Sequence, residues 1–187
     1  HMHALIENQE QAPVLQVPLA FEKRLCQNLV DIWETSMRGE ADTIPDETRE
    51  SIAQAVDLRL GKRVTQKVRQ AFRYEPQYRE PPRIWRHSDL PVGNLIRCND
   101  SDNTAYREFA IMIPLNTSSC EGAAIEFLEY GPTQYHLEDG EALVFSCDLM
   151  MRFLAATKGN PLWYTTFFYT EQQDFSNRSG GVQISDN

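Results

Sequence analysis

The chain has 187 residues, 41% of them hydrophobic, enough for one sizeable core and most simply one domain. Its net charge of −9 and pI near 4.9 exclude a general nucleic-acid or anionic-membrane binder, because phosphate contacts need clustered Lys and Arg. No apolar run approaches the ~20 residues of a membrane span, so a soluble, non-membrane protein is expected.

In chain order, His1 and Met2 read as a vector remnant, and residues 1–10 as a flexible N-terminus. Residues 13–18 alternate apolar and polar side chains between two prolines, the pattern of a short edge strand. Phe21, Leu25, Leu29, Ile32 and Trp33 then recur at helical spacing, predicting a helix over 20–37 that Gly39 stops. A second helical region spans 47–74, with Ile52, Val56, Leu60, Val64, Val68 and Phe72 four residues apart and Gly61 as a point of division.

Prolines at 76, 81 and 82 form a linker, beyond which the chain turns β-rich. Strands are predicted over 83–87, 108–115, 123–130, 142–147 and 162–169, separated by Gly, Asn and Asp turns. Alternation within them nominates Phe109, Ile111, Ile113, Phe127, Val144, Phe145 and Phe167 as core. Helices packed on a β core, an α+β protein, follow from periodicity alone. One domain over 11–171 is expected, with a polar, mobile tail over 172–187. Cys26, Cys98, Cys120 and Cys147 are scattered with no Cys-x-x-Cys pair, which fits reduced thiols and a cytoplasmic location.

Three stretches carry more. From Arg107 the chain reads Arg-Glu-Phe-Ala-Ile-Met-Ile-Pro-Leu-Asn, from Cys120 Cys-Glu-Gly-Ala-Ala-Ile-Glu-Phe-Leu-Glu-Tyr-Gly-Pro, and from Asp139 Asp-Gly-Glu-Ala-Leu-Val-Phe-Ser-Cys. In order and spacing these resemble the C-terminal half of the iron(II)- and 2-oxoglutarate-dependent oxygenases of the prolyl-hydroxylase-like type. The resemblance runs from about Pro13 to Thr170. It implies a double-stranded β-helix, or jelly roll, buttressed by the N-terminal helices.

It also implies where chemistry should sit. The family holds iron with a His-x-Asp pair and a later His, which leaves three positions for 2-oxoglutarate and oxygen. An Arg about ten residues after that His pairs with the co-substrate's distal carboxylate. Here Leu143-Val144-Phe145-Ser146 leads without gaps to Met151 at the late His position, and Asn160-Pro161 fall where the arginine belongs. Gly93-Asn94-Leu95 places Cys98-Asn99-Asp100 on the first metal motif, and a shift of two residues would place Ile96 and Cys98 there. Either way the His is missing. A thioether is a poor substitute for imidazole on iron(II), and proline donates no hydrogen bond.

An alternative triad is His87, Asp89 and His136, since His87-Ser88-Asp89 is itself a His-x-Asp and His136 lies 49 residues on. Against it, His87 falls on the strand before the metal loop and no Arg follows His136 at the required distance. Cys98 reads either as a soft ligand or as an apolar filler. Lys158 reads as an acid-pairing group or a solvated turn residue. Arg152, Trp85 and Trp163 read as pocket lining or, for the tryptophans, as core.

The resemblance without its ligands predicts a degenerate oxygenase, a non-catalytic binding or regulatory protein or an inactive partner of an active relative. No cofactor is expected on that reading. The alternative keeps Fe(II) and 2-oxoglutarate in an active dioxygenase with unusual ligands. A protein partner or small-molecule ligand, and a homo- or hetero-oligomer, complete the expectations. The emptied pocket is expected to be partly plugged by Met151 with Leu95 or Ile96, leaving the outer face of helix 20–37 to bind protein.

Overall fold

The structure, a computed structural model, describes residues 11–175 and 182–184. The expectations for residues 1–10, and for most of the tail, lie outside the described residues. None of the described helices is long and apolar enough to cross a membrane.

The chain opens on strand β1 (Leu15–Val17), followed by helix α1 (Lys23–Met37) and helix α2 (Asp46–Arg59). Helix α2 passes through a π-helical segment, Leu60–Thr65, directly into α3 (Gln66–Phe72). Gly61 lies in that π segment, so the region does divide into two α-helices there, by a wider turn and without a break in the chain direction. The π segment has a geometric reason. Side chains four apart drift about 40° per step around an α-helix of 3.6 residues per turn, so a long run at that spacing would wind off the buried face. The wider π turn takes the drift back. Val56, Leu60, Val64 and Val68 all stay buried as a result.

Nine further strands follow the helices among the described residues. Their ranges are β2 (Tyr78–Arg79), β3 (Arg83–Arg86), β4 (Phe109–Pro114), β5 (Ile125–Glu126) and β6 (Gln134–Tyr135), then β7 (Ala142–Ser146), β8 (Arg152–Phe153), β9 (Leu162–Tyr169) and β10 (Val182–Gln183). The main antiparallel sheet runs β1-β7-β4-β9-β2-β10, with β3 also on β9, and the smaller sheet runs β6-β5-β8. Two antiparallel sheets with helices packed on one side make a mixed α/β arrangement, consistent with the expected jelly roll. The predicted edge strand is at the edge, with Leu15 opposite Val144.

Alternation along the strands sorts side chains into two layers. Ile111, Ile113, Val144, Tyr164 and Phe168 face the helices, joined by Leu25, Leu29, Leu60 and Val64. Ala110, Met112, Phe145, Trp163 and Phe167 face the small sheet, with Ile125, Phe127 and Phe153. Strand β9 is buried at all eight positions because both its faces are covered. Six of the seven nominated core residues are buried. Phe109 is only half-buried, sitting against the rings of Phe72 and Tyr74.

Several boundaries differ from expectation. The stretch 123–130 yields only the two-residue β5 and a 3-10 turn, because Ala123 takes a left-handed conformation at φ 39. The proline linker contains β2, with Arg79 and Glu80 buried. In the tail, β10 pairs with β2 and Phe175 packs edge-on to Tyr106 and Tyr169. The apolar stripe of α1 turns inward, with Leu25, Cys26, Leu29 and Val30 buried. It does not offer the free protein-binding face expected of it.

Candidate functional site

The space between the sheets opens to solvent through a cavity of about 770 Å³. Its walls come from β3 (Trp85), β4 (Met112), β8 (Phe153), β9 (Thr165, Phe167), and the loop 96–107 before β4. At its base lies an ionic group that the sequence reading missed. Arg107 forks onto Glu80, with Nε to Oε1 at 2.9 Å and Nη2 to Oε2 at 3.0 Å. The Tyr106 hydroxyl donates a short hydrogen bond to the same carboxylate. Arg107 also lies 3.8 Å over the Phe167 ring and donates Nη1 to the Cys98 carbonyl.

Burial opposes the charged guanidinium of Arg107, but the hydrogen bonds and charge of Glu80 more than compensate, holding its pKa above the ordinary value. The Tyr106 hydroxyl is pushed out of the titrating range by burial and by its bond to Glu80. Arg107 opens the first quoted motif, so its presence was legible. Glu80, between prolines in an apparent linker, gave no signal.

The positions that the resemblance assigns to metal meet beside this group. Ile96 and Met151 exchange backbone hydrogen bonds at 2.9 and 2.8 Å, which brings the Cys98 thiol 3.8 Å from the Met151 thioether. Met151 is fully buried and Cys98 is 9% exposed, at the cavity wall. Asp100 stands on the exposed rim and accepts a hydrogen bond from the Arg97 amide. Of the three residues expected to plug the pocket, Met151 is buried off the cavity wall, Leu95 is exposed and Ile96 is half-buried on the wall.

Asn160 and Pro161 do not line the cavity. The Asn160 amide instead bonds Ser88 through both its ends, at 2.9 and 3.0 Å, and the Pro161 carbonyl accepts the His87 amide. His87, Asp89 and His136 are not brought together. His87 is 2% exposed, accepts from the Trp163 indole at Nδ1 (3.1 Å) and meets the Leu154 carbonyl at Nε2 (2.6 Å). Those bonds fix the Nε2–H tautomer and use both ring nitrogens. Burial lowers its pKa, with the Leu154 bond opposing. Asp89 pairs with Arg86, and exposed His136 lines a separate cavity of about 300 Å³ with Cys120 and Glu121.

Of the residues left with two readings, Lys158 is an exposed turn residue whose carbonyl accepts the Glu121 amide. Arg152 pairs with buried Glu126. Trp85 lines the cavity, and Trp163 is core.

No family model matches the chain, and no curated protein matches it. Solved structures do. A Pseudomonas putida prolyl-4-hydroxylase superposes with TM-score 0.60 at 14% identity, covering 91% of this chain and 100% of its own. The viral collagen prolyl hydroxylase of Paramecium bursaria Chlorella virus-1, in its 2OG complex, gives TM-score 0.57 at 13% identity over 88% and 99%. A Trichoplax adhaerens prolyl hydroxylase in complex with a hypoxia inducible factor oxygen degradation domain peptide gives 0.51 at 11% over 89% and 86%.

The chain shares the fold of the 2OG-Fe(II) oxygenases of the prolyl-hydroxylase type. The expectation of no cofactor is thereby corrected: the structures it superposes on belong to oxygenases that need Fe(II) and 2-oxoglutarate, one of them solved with 2OG. This chain's own donors are a separate matter, and they do not fit iron(II) in the family's manner. The residues that the resemblance aligns with the two imidazoles, Cys98 and Met151, bear a thiol and a thioether, and no group of three or more His, Cys, Asp and Glu among the described residues could hold a metal.

Proposed function

We propose that this protein is a binding or regulatory member of the oxygenase fold, a degenerate relative that recognises a ligand in the cavity without hydroxylating it. The double-stranded β-helix of that fold supplies the cavity. The observation that carries the reading is the Cys98–Met151 contact, a pair of sulfur groups where the fold's chemistry calls for imidazoles. The cavity itself supports binding. Its size is that of a small-molecule or peptide-segment site, and aromatic walls (Trp85, Phe153, Phe167) meet an acidic rim of Asp100, Asp102 and Asp174. The neighbour solved with a peptide supports an extended protein segment as occupant, delivered by a partner or by an active relative. Four free cysteines suit a reducing compartment, the cytoplasm.

The second reading, an active dioxygenase with unusual ligands, is favoured by the cofactor-bearing fold and by Cys98 and Asp100 sharing the open cavity. One experiment separates the two. Purified protein is given Fe(II), ascorbate and 2-oxoglutarate, with and without a peptide library, and succinate is measured alongside binding by calorimetry. Binding without succinate is the expected result. Succinate formed by the unaltered protein overturns the reading and makes Cys98 and Asp100, which line the cavity, the first residues to substitute. A Met151→His, Pro161→Arg double variant is also expected to form no succinate, because the early imidazole is still lacking.

A further inference from the structure

The open cavity is closed on one side by the chain's own tail. Gln173, Asp174 and Phe175 follow β9 and line the cavity beside Tyr106. The Phe175 ring meets the Tyr106 ring edge-on at 5.8 Å and the Tyr169 ring at 6.2 Å, and Tyr106 is the residue whose hydroxyl bonds Glu80 at the cavity base. Further along, β10 pairs antiparallel with β2, placing Val182 opposite Arg79, the residue before Glu80. The Ile184 amide then donates to the Gln77 carbonyl at 3.0 Å, and its side chain packs on the helix-facing layer. Two separate parts of the tail therefore bear on the residues that carry the ionic group.

Both holds are weak. Strand β10 has two residues, lies at the outer edge of the main sheet and pairs with β2 alone among the described residues. Backbone bonds at a wet edge each contribute little net stability, and such segments open first. The sheet beneath does not depend on them. Strand β2 is held from its other side by β9, with Tyr78 opposite Tyr169 and Arg79 opposite Phe168, and the Glu80 amide donates to the Phe167 carbonyl at 2.9 Å. Loss of β10 would therefore leave β2 in place with its outer backbone groups bare, a row that an extended segment of another chain can pair with. The present occupant shows what that edge accepts: an aromatic ring set against Tyr106, and an extended stretch followed by an aliphatic side chain packed on the helix-facing layer.

We propose that the tail is a built-in competitor for the cavity, and that the outer edge of β2 is an acceptor for an extended segment of a partner protein that takes the tail's place. Gln173, Asp174 and Phe175 narrow the cavity while β10 is paired. A partner segment that pairs with β2 displaces β10 and frees the mouth. Its chemistry copies that of the tail, with extended backbone, an aromatic side chain for Tyr106 and an aliphatic one for the place of Ile184. No covalent bond changes. The inference rests on the reading of the cavity as a binding site for an extended segment, and it adds what occupies that site when no partner is present.

The test uses the full chain, with Cys98 on the cavity wall as the reporter of how open the mouth is. Phe175→Ala removes the ring, and Ile184→Pro removes the N–H that bonds Gln77. Each variant is expected to speed alkylation of Cys98 by a bulky maleimide, roughly tenfold for Ile184→Pro and about threefold for Phe175→Ala, as modest contacts at an edge imply. Cys120, which lines the separate cavity, and Cys26, buried on the inner face of α1, should react at unchanged rates. Affinity for peptides of the same library should rise by the same factors. The proposal is overturned if Cys98 reacts no faster in either variant, or if Cys26 accelerates equally, which would make the tail a structural brace. Faster Cys98 with no peptide bound by any form removes the peptide reading and keeps the tail as the element that closes the mouth. Peptide binding to the unaltered protein that neither variant strengthens overturns the competition and keeps the peptide reading.

Discussion

Replacing Glu80 by Gln isolates the ionic group at the base of the cavity. The Glu80 side chain is 2% exposed and that of Arg107 19%, so the pair sits where solvent screens it weakly. The amide keeps the shape but removes the charge. It also turns one carboxylate oxygen into an NH₂ that faces an arginine or tyrosine donor. Breaking a buried ion pair from one side costs about 3–5 kcal/mol. Arg107 retains its Cys98 carbonyl, the Phe167 face and some water, so the lower part of that range, about 3 kcal/mol, is expected. Arg107→Met strands the more deeply buried carboxylate, with only Tyr106 to satisfy it, and is expected to cost about 4 kcal/mol. The double variant leaves no lone charge and should be about 2–3 kcal/mol more stable than the sum of the single losses predicts. Urea unfolding of all four proteins, with midpoints compared at constant slope, measures this coupling. A Glu80→Gln loss under about 1 kcal/mol, or additivity within about 0.5 kcal/mol, would refute the argument that the pair is buried and mutually dependent.

Two further outcomes follow from the fold. Because burial lowers the His87 pKa, the unfolded chain takes up a proton first as pH falls below about 6.5. The stability tied to the neutral ring is thus complete above that pH and is lost as pH falls toward the folded-state value. Thermal melts of His87→Gln and the unaltered protein should therefore differ most above pH 7 and converge toward pH 5, and a constant difference would exclude a buried neutral imidazole. Gly140→Ala should cost about 3 kcal/mol or more in urea unfolding, since its φ is +82 and an added Cβ would lie 2.1 Å from the Phe21 carbonyl oxygen. An unchanged midpoint would show that the contact between this turn and the start of α1 is looser than the structure has it.

The parts of the fold that were readable were those with a single dominant signal. Strands β4, β7 and β9 announced themselves through long runs of β-branched and aromatic residues bounded by turns. The helices announced themselves through their spacing. What failed were features decided by partners far along the chain. Strand β2 has two residues and no pattern of its own, and exists because Tyr78 and Arg79 find Tyr169 and Phe168 ninety residues later. The π segment arises from a conflict between a four-residue repeat and helical pitch, visible in the spacing only when the drift is worked out.

The site shows the same division, and it sharpens the functional argument. The sequence located Cys98 and Met151 by alignment, but alignment treats each as a lost imidazole and nothing more. Their contact was not readable, because they lie 53 residues apart and meet through the backbone pairing of Ile96 with Met151. Only the folded chain brings the two sulfurs together, beside the Arg107–Glu80 pair. The residues that the resemblance aligns with the two imidazoles, Cys98 and Met151, are in contact, and Met151 is held by paired backbone hydrogen bonds to Ile96. That contact borders the open cavity, and it is why the interior between the sheets, more than the outer helices, is the place to look for function.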